Sequence, residues 1–593
     1  MNGDNRARPR SPWARFDDMV GGTATAFHRV EEELVAWQPC DVARVMERLD
    51  AVTASGRWAF GFVTYEAASG LGTGLRTRSP VPGLPLAWFG VAEPRPAPPL
   101  QDADPPPVDL GWRPEWTADR HRRAVDAVQE NIAAGETYQC NLTTSLRASA
   151  PADPEQLYRQ MVVNQIGRYN ALIDTGRFVV ASASPELFFE VSGDWITMRP
   201  MKGTAPRGRT GAEDAEAVDR LRSSPKERAE NIMIVDLVRN DLARIAVPGT
   251  VAVADLLRPE RFPTVHQLTS TVRAELPPGV GTADLFRALF PCGSVTGAPK
   301  RRTMEIIREL EGDARGVYCG AVGVVGPRDA PVRARFSVAI RSALVDRERG
   351  VVTYGTGGGI TWDSAPAAEW SELLVKARLL DEAPRDFHLI ETMRHDPGSG
   401  IHLRDDHLAR IAASARYFGF RHDPGAVARE LDRHLTGAGP ARVRLCCHRD
   451  GTATVDVGPL PPATAGPVRL ATDDEPVDTS TCWTRHKTSR REVYEVRRAR
   501  HPEADDVILI DDAGAVVETG IATLAARIEG RWWTPPASVG CLPGIERGHR
   551  IRTGTLRERP LAVADLDRAD ELAVLSSLRG WRPAVLLHRP AVH

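Results

Sequence analysis

A change of pattern at residues 381–386, DEAPRD, divides this chain of 593 residues. Before it runs AAEWSELLVKARLL, with the apolar spacing of a helix. After it come FHLIETM, HLRDDHLARIAASARYFGF and VRLCCHRDGTATVDV, which read as a strand, a helix and a hairpin. A new series of elements after a short polar linker begins a separate α/β unit, so one continuous core is excluded. A second interruption stands at 94–107, PRPAPPLQDADPPP, whose seven prolines predict a stiff, extended connection outside any core. Three regions follow: 1–110, α/β in character and ending in the Pro-rich linker, then 111–382 and 387–593.

Local patterns fill these regions. EEELVAWQPCDVARVMERLDAV is helix-like, while GRWAFGFVTYEAA and PLAWFGVAE are strand-like. DRHRRAVDAVQENIAA predicts a helix over Asp119–Ala134; RFVVASASPELFFEV predicts strands and ERAENIMIVDLVRNDLARI a long helix.

Composition excludes several classes of function. Hydrophobic residues make up 42 % and charged residues 26 %, the mixture of a globular protein. The net charge of −2 leaves no excess of cations for a nucleic-acid backbone. No run approaches the roughly 20 apolar residues of a membrane span, and MNGDNRARPRSPWARFDD lacks the apolar middle of a signal peptide. A cytoplasmic protein without a membrane partner is expected. The eight cysteines show no Cys-x-x-Cys spacing, which argues against a zinc or disulfide framework.

Only five of the 76 basic residues are lysines: Lys202, Lys226, Lys300, Lys376 and Lys487. Arginine has replaced lysine wherever a positive charge suffices. An amine can lose its proton and attack carbon, which a guanidinium cannot, so the remaining lysines are candidates for chemistry.

Two carboxylate pairs stand three residues apart in helical contexts, Glu227 with Glu230 and Glu369 with Glu372. This spacing places each pair on one helix face, where hard oxygen ligands suit Mg²⁺ shared with an anionic substrate. Gly-rich segments, GTGGGI at 355–360 and CGSVTGAPK at 292–300, read as turns whose backbone N–H groups could approach a carboxylate.

The strings SASPELFF, RPMKGTAPRG, ERAENIMIVDLVRNDL, VHQLTSTV, PCGSVTGAPKRRTMEII, FSVAIRSA and YGTGGGITWDSAPAAEWSELLVKA occur in the order found in the chorismate-utilising enzymes. The resemblance covers about residues 115–382. It implies an α+β fold, a layered β-sandwich core flanked by helices. Lys202 of Pro200-Met201-Lys202-Gly203-Thr204 resembles the lysine of aminodeoxychorismate synthases, where anthranilate and isochorismate synthases have Ala. Isochorismate and salicylate enzymes carry a water-activating lysine where this chain has Gln139, which disfavours water addition.

By this resemblance Lys202 is the nucleophile toward chorismate, Glu186 the general acid, and Glu230 and Glu372, beside Glu227 and Glu369, the Mg²⁺ ligands. Arg341, Lys376, Tyr318, Gly357 and Gly359 match the positions that hold the substrate's carboxylates. Gln139, Thr204, His266 and Thr296 match pocket residues. No amidotransferase nucleophile motif is present in the chain, so the family implies a separate glutamine amidotransferase subunit, with free ammonia as the fallback.

Residues 387–590 resemble the class IV pyridoxal-phosphate enzymes, which include branched-chain and D-amino-acid aminotransferases and 4-amino-4-deoxychorismate lyase. A fold-type IV domain, and a homodimer through it, are implied. Lys487 of TRHKTSRREVYE is then the cofactor lysine, and Glu518 of VILIDDAGAVVETG pairs with the pyridine nitrogen. Arg410 of HLARI matches a phosphate contact, Ile521 and Ala522 offer backbone N–H groups, and Ser577 of LSSLRGW adds a hydroxyl. Thr523 stands where the family commonly has Asn.

Together the halves imply amination of chorismate followed by elimination of pyruvate to give 4-aminobenzoate, a folate precursor. Two alternatives stay open: an anthranilate synthase component I joined to a class IV aminotransferase, and an inactive subunit that only binds an amidotransferase.

Overall fold

The computed structural model describes residues 11–100, 108–263, 265–380, 387–437, 439–462 and 466–587. The expected linker at 381–386, and 101–107 of the Pro-rich segment, lie outside them. The chain forms two compact units, one of residues 1–206 with 218–386, the other of residues 207–217 with 387–593. Among the described residues, no helix is long and apolar enough to cross a membrane.

The first unit is built on two ten-stranded sheets. The strand Phe178–Ser184 shows why they stack. Its side chains alternate: Phe178 and Val180 join a cluster with Phe60, Phe62 and Trp88 of the other sheet, while Val179, Ala181 and Ala183 pack with Tyr158 and Met161 of the helix Pro154–Gln165. A strand covered on both faces reads as the mostly apolar run FVVASA, broken only by the small Ser182. A larger cluster, including Phe188, Phe189, Phe286 and Phe336, lies on the outer side of the second sheet under the helices Pro39–Ala54 and Pro225–Ala243.

The first hundred residues are woven into both sheets. Trp13–Asp18 pairs with Tyr169–Asp174, and Ala59–Val63 pairs with Ala321–Val325. The expected boundary near residue 110 therefore separates no compact unit. Two local expectations also change. EEELVAWQPCDVARVMERLDAV is not one helix: Glu32–Ala36 is a strand paired with Ala87–Val91, and the helix begins at Pro39, where a missing N–H and a fixed φ suit the first turn. Pro94–Ala97 forms an edge strand on Thr23–Phe27, a place where proline costs no ladder bond on the open side.

The second unit holds a four-stranded antiparallel sheet around Leu389–Asp396 and Ala441–Cys447, covered by the helix Arg404–Phe418. An eight-stranded mixed sheet follows, with Val468–Thr472 parallel to both Asp506–Ile510 and Gly580–Leu586. Backbone hydrogen bonding from Ile390 N–H to the Lys487 carbonyl ties the segment carrying Lys487 to the smaller sheet.

Candidate active sites

In the first unit the strands Met201–Pro206 and Val351–Ile360 and the helices Pro225–Ala243 and Pro366–Ala377 bring one set of side chains to a common pocket. Lys202, Glu186, Thr204, Tyr318, Arg341, Gly357, Gly359, Lys376 and all four paired glutamates line it. GTGGGI is not a turn. It lies within a strand paired to Gln139–Ser149, with Gly357, Gly358 and Gly359 opposite Thr143, Leu142 and Asn141. Glycines inside a strand leave its face bare for close approach. A Cβ at Gly359 would come within 2.6 Å of Lys202 Nζ and 2.3 Å of Gln139 Nε2, so this position admits no side chain without displacing both.

Burial sets the electrostatics. Glu186 is 2 % exposed, and burial pushes its carboxyl up to about 7 against the opposing pull of Ser294, Lys202 and the Met201 backbone. Burial also lowers the Lys202 amine, with Glu230 pulling it back up. Glu186 Oε1 and both amide atoms of Gln139 are buried without a hydrogen-bond partner. Unpaired buried polar atoms of this kind are costly unless a ligand completes them.

The glutamates repel one another. Glu227 and Glu369 are raised by burial and by their neighbours Glu230 and Glu372, whereas Glu372 is lowered by Lys376, whose Nζ lies 2.9 Å from it. Among the described residues, no group of three or more acidic, histidine or cysteine side chains is arranged to hold a metal ion alone. Crowded hard carboxylates beside an anion pocket suit Mg²⁺, which takes one or two protein carboxylates and completes its shell with water and substrate.

Lys376 also donates to the Gly357 carbonyl, at 2.8 Å. Arg341 is desolvated, which lowers its pKa, and it has a φ of 49°, a strained backbone held by its surroundings. His266 and Thr296 are not on the pocket wall. On the strand Val265–Glu275 adjacent residues face opposite sides, and Gln267 is the one that reaches the pocket. Thr296 is fully buried and donates its hydroxyl to the Cys292 and Gly293 carbonyls. The contributions of Ser294, Asn141 and Gln267 went unnoticed in the sequence, although PCGSVTG and VHQL contain two of them. Lys226, with no role assigned from sequence, stands at the rim 4.0 Å from Glu230.

In the second unit Lys487, Glu518, Arg410 and Ser577 line one pocket. Burial lowers the Lys487 amine to about 8, helped by Arg410 and opposed by Glu391. Glu518 accepts from Tyr494 Oη at 2.9 Å and Leu542 N–H at 3.2 Å, and burial raises it to about 7. Arg410 grips Glu391 through Nε and Nη2 at 2.8 and 2.6 Å and reaches the Pro543 carbonyl.

Ile521 and Ala522 border the pocket, but their N–H groups are already donated, to Asp506 and Thr519 Oγ1. The donors missed in the sequence begin the helix Ile545–Arg552, whose N-cap Gly544 supplies no side-chain cap and whose first residues face the same pocket. A helix N-terminus binds phosphate through its free N–H groups and dipole. Thr523 explains Gly544: a Cβ there would lie 2.7 Å from Thr523 Oγ1. A buried, cation-seeking carboxylate, a lysine of lowered basicity and an anion cradle in one pocket fit pyridoxal phosphate.

Residues 12–382 match the chorismate binding enzyme family. The chain belongs to that family. Residues 388–587 match amino-transferase class IV. The chain is 43 % identical over 277 residues to anthranilate synthase component 1 of Streptomyces coelicolor, covering 46 % of this chain and 53 % of that one. It is 40 % identical over 270 residues to aminodeoxychorismate synthase component 1 of Escherichia coli, covering 45 % and 57 %. The chain thus spans little more than half the length of these relatives. Anthranilate synthase component I from Streptococcus pneumoniae shares the fold, with a TM-score of 0.52, 24 % identity and coverage of 64 % and 95 %. Such near-equal likeness to a chorismate-binding enzyme of either name leaves the reaction to be read from the pocket.

Proposed function

We propose that this chain makes 4-aminobenzoate from chorismate in two stages, one in each unit. The observation that carries the reading is Lys202, the amine set against bare Gly359 and beside the buried acid Glu186.

In the first unit the neutral Lys202 Nζ bonds to C2 of chorismate, the ring double bonds shift, and the C4–O bond breaks. Glu186 donates its proton to the departing hydroxyl, which leaves as water; a carboxyl held near 7 is still about half protonated at neutral pH, where an ordinary glutamate is almost wholly ionised. Ammonia then bonds to C4, the double bonds return, and the C2–N bond to Lys202 breaks, giving 4-amino-4-deoxychorismate. Arg341 and Lys376 hold carboxylates of the substrate, and Gln139 completes its unpaired amide on the ring substituents. Glu230 and Glu372, with Glu227 and Glu369 beside them, are the residues that would hold Mg²⁺, which supplies a positive anchor for the ring carboxylate. A separate glutamine amidotransferase is the proposed source of ammonia.

In the second unit Arg410 and the N–H groups of Ile545–Arg552 would hold the cofactor phosphate, Lys487 the cofactor carbon and Glu518 the pyridine nitrogen. Pyridoxal phosphate, when bound, supplies an electron sink for the pair released at the amine-bearing carbon. Lys487 Nζ takes the proton from C4 of the ring, a C3–C4 double bond forms as the C3–O bond breaks, and the ring becomes aromatic; the enolpyruvate released takes up a proton and becomes pyruvate.

The test is to supply the purified chain with chorismate, Mg²⁺ and an ammonium salt, with and without pyridoxal phosphate, and to identify products by mass and ultraviolet absorbance. The expected outcome is 4-aminobenzoate and pyruvate only when pyridoxal phosphate is present. Anthranilate as the product would overturn the reading of Lys202.

A further inference from the structure

Behind the pocket wall of the first unit lies a buried group of charges that the reaction above does not use. Arg315 and Glu311 have side chains 3 % and 5 % exposed. Arg315 donates to Glu311 from Nε and Nη2, at 2.8 and 2.6 Å, and its guanidinium lies 4.5 Å over the Tyr65 ring. Glu311 also accepts from the N–H and hydroxyl of Thr143, both at 2.9 Å. Glu66 accepts the backbone N–H groups of Arg315 and Gly316 at 2.8 and 3.0 Å.

The two remaining bonds of the guanidinium go to main chain. Nη1 donates to the Val295 carbonyl and Nη2 to the Asn141 carbonyl, each at 2.7 Å. Both acceptors belong to pocket-wall residues. Asn141 is opposite Gly359 in the strand pairing, and its N–H donates to the Thr296 carbonyl, which closes the turn against the strand. Val295 follows Ser294, which lines the same pocket as Glu186 and draws its carboxyl down. A desolvated cation is expensive to keep in a core, and an apolar replacement would often serve stability as well or better. What an apolar residue could not do is grip two carbonyls from one point.

We propose that Arg315 is a positioning residue for proton delivery by Glu186: it clamps the Cys292–Thr296 turn to the strand Gln139–Ser149 and so holds the Ser294 hydroxyl against the acid. The inference rests on the reading of Glu186 as the acid. Besides Ser294 and the Met201 N–H, the charged or titratable groups facing Glu186 are Lys202 and Cys292. Burial lifts the Cys292 thiol to about 12, so it stays protonated, and its Sγ sits 3.3 Å from Ser294 Oγ. The polar Ser294 side chain pulls Glu186 down; a loosened turn lets it rise.

The test uses the full chain with chorismate, Mg²⁺ and ammonium salt. Arg315→Lys keeps a cation near Glu311 but cannot span both carbonyls. Expected are a loss of about tenfold in kcat with KM little changed, because a displaced acid forfeits part of the general-acid contribution, and an alkaline limb of the pH–rate profile moved to higher pH. Ser294→Ala should move that limb in the same direction, and the double variant should shift it no further than the larger single shift. Glu311→Gln, which retains volume and an acceptor while loosening the guanidinium, gives the same comparison if the lysine variant does not fold. A folded Arg315 or Glu311 variant with an unmoved limb overturns the proposal, as does a purely additive double variant. If Glu186→Gln instead retains the parent rate and limb, it is the acid assignment that has failed.

Discussion

Gly359 faces Lys202 so closely that a methyl group on Gly359 would stand 2.6 Å from the lysine nitrogen. The glycine is therefore part of what places the amine, although it contributes no functional group. Gly359→Ala should leave the sheet paired, since φ at this position is not in the left-handed region and the strand can accept alanine. It should nevertheless push Lys202 and Gln139 aside. A displacement of about 1 Å in a reacting group costs on the order of 10²-fold in rate. The expected result is such a loss in kcat for chorismate consumption with an unchanged circular dichroism spectrum. Full activity would remove the nucleophile from that position.

The pH dependence of the first reaction follows from the same two groups. Glu186 must be protonated to act, so the rate falls as pH rises through about 7. Lys202 must be neutral, so the rate rises with pH through the lysine's burial-lowered pKa. Overlap of the two gives a bell in kcat/KM, measured at a fixed concentration of free ammonia. Glu186→Gln should lower the rate by 10² to 10⁴, about the range of general-acid assistance, and flatten the alkaline limb. An alkaline limb that survives in this variant belongs to another group.

Much of this arrangement was legible because chemistry and spacing coincide in the sequence. The glutamates three apart do share a pocket, and the scarce lysines 202, 376 and 487 do line the two pockets. What the sequence concealed has physical causes. GTGGGI contains the residues of a turn, and only its ten-residue pairing with Gln139–Ser149 reveals a strand stripped of side chains. His266 and Gln267 are indistinguishable to a motif, since the pleat decides which of two neighbours faces inward. Ile521 and Ala522 looked like free donors until Asp506 and Thr519 occupied them. Membership of residues 207–217 in the second unit has no local signal at all, because packing between segments distant in sequence determines it.

Glu391 makes a prediction about stability. Burial alone would raise its carboxyl, but Arg410 and His407 outweigh burial and hold it at about 2, below the ordinary 4.5. A folded-state pKa below the unfolded one contributes stability above the unfolded value, lost as pH falls from about 4.5 toward about 2. The shift corresponds to about 3 kcal/mol. Glu391→Gln should therefore lower the stability of residues 387–593 by on the order of 3 kcal/mol at neutral pH and much less near pH 2, read by urea unfolding followed with hydrogen exchange in the full chain. It should also weaken pyridoxal phosphate binding, measured by absorbance titration, because Arg410 loses the partner that fixes its orientation. Equal destabilisation at both pH values would refute the electrostatic account.

The two pockets carry separate lysines, and that separation can be tested with one variant. Lys487 lies in the second unit, and nothing in the proposed amination requires it. Lys487→Ala should consume chorismate at the parent rate in the presence of Mg²⁺ and ammonia while 4-amino-4-deoxychorismate accumulates and 4-aminobenzoate falls by at least about 10²-fold, the scale of a lost proton-transfer group. Lys202→Ala should do the reverse: no chorismate consumption, but undiminished conversion of supplied 4-amino-4-deoxychorismate. If Lys487→Ala still makes 4-aminobenzoate at the parent rate, elimination is not performed by that lysine, and the pocket holding Glu518 and Arg410 serves some other substrate.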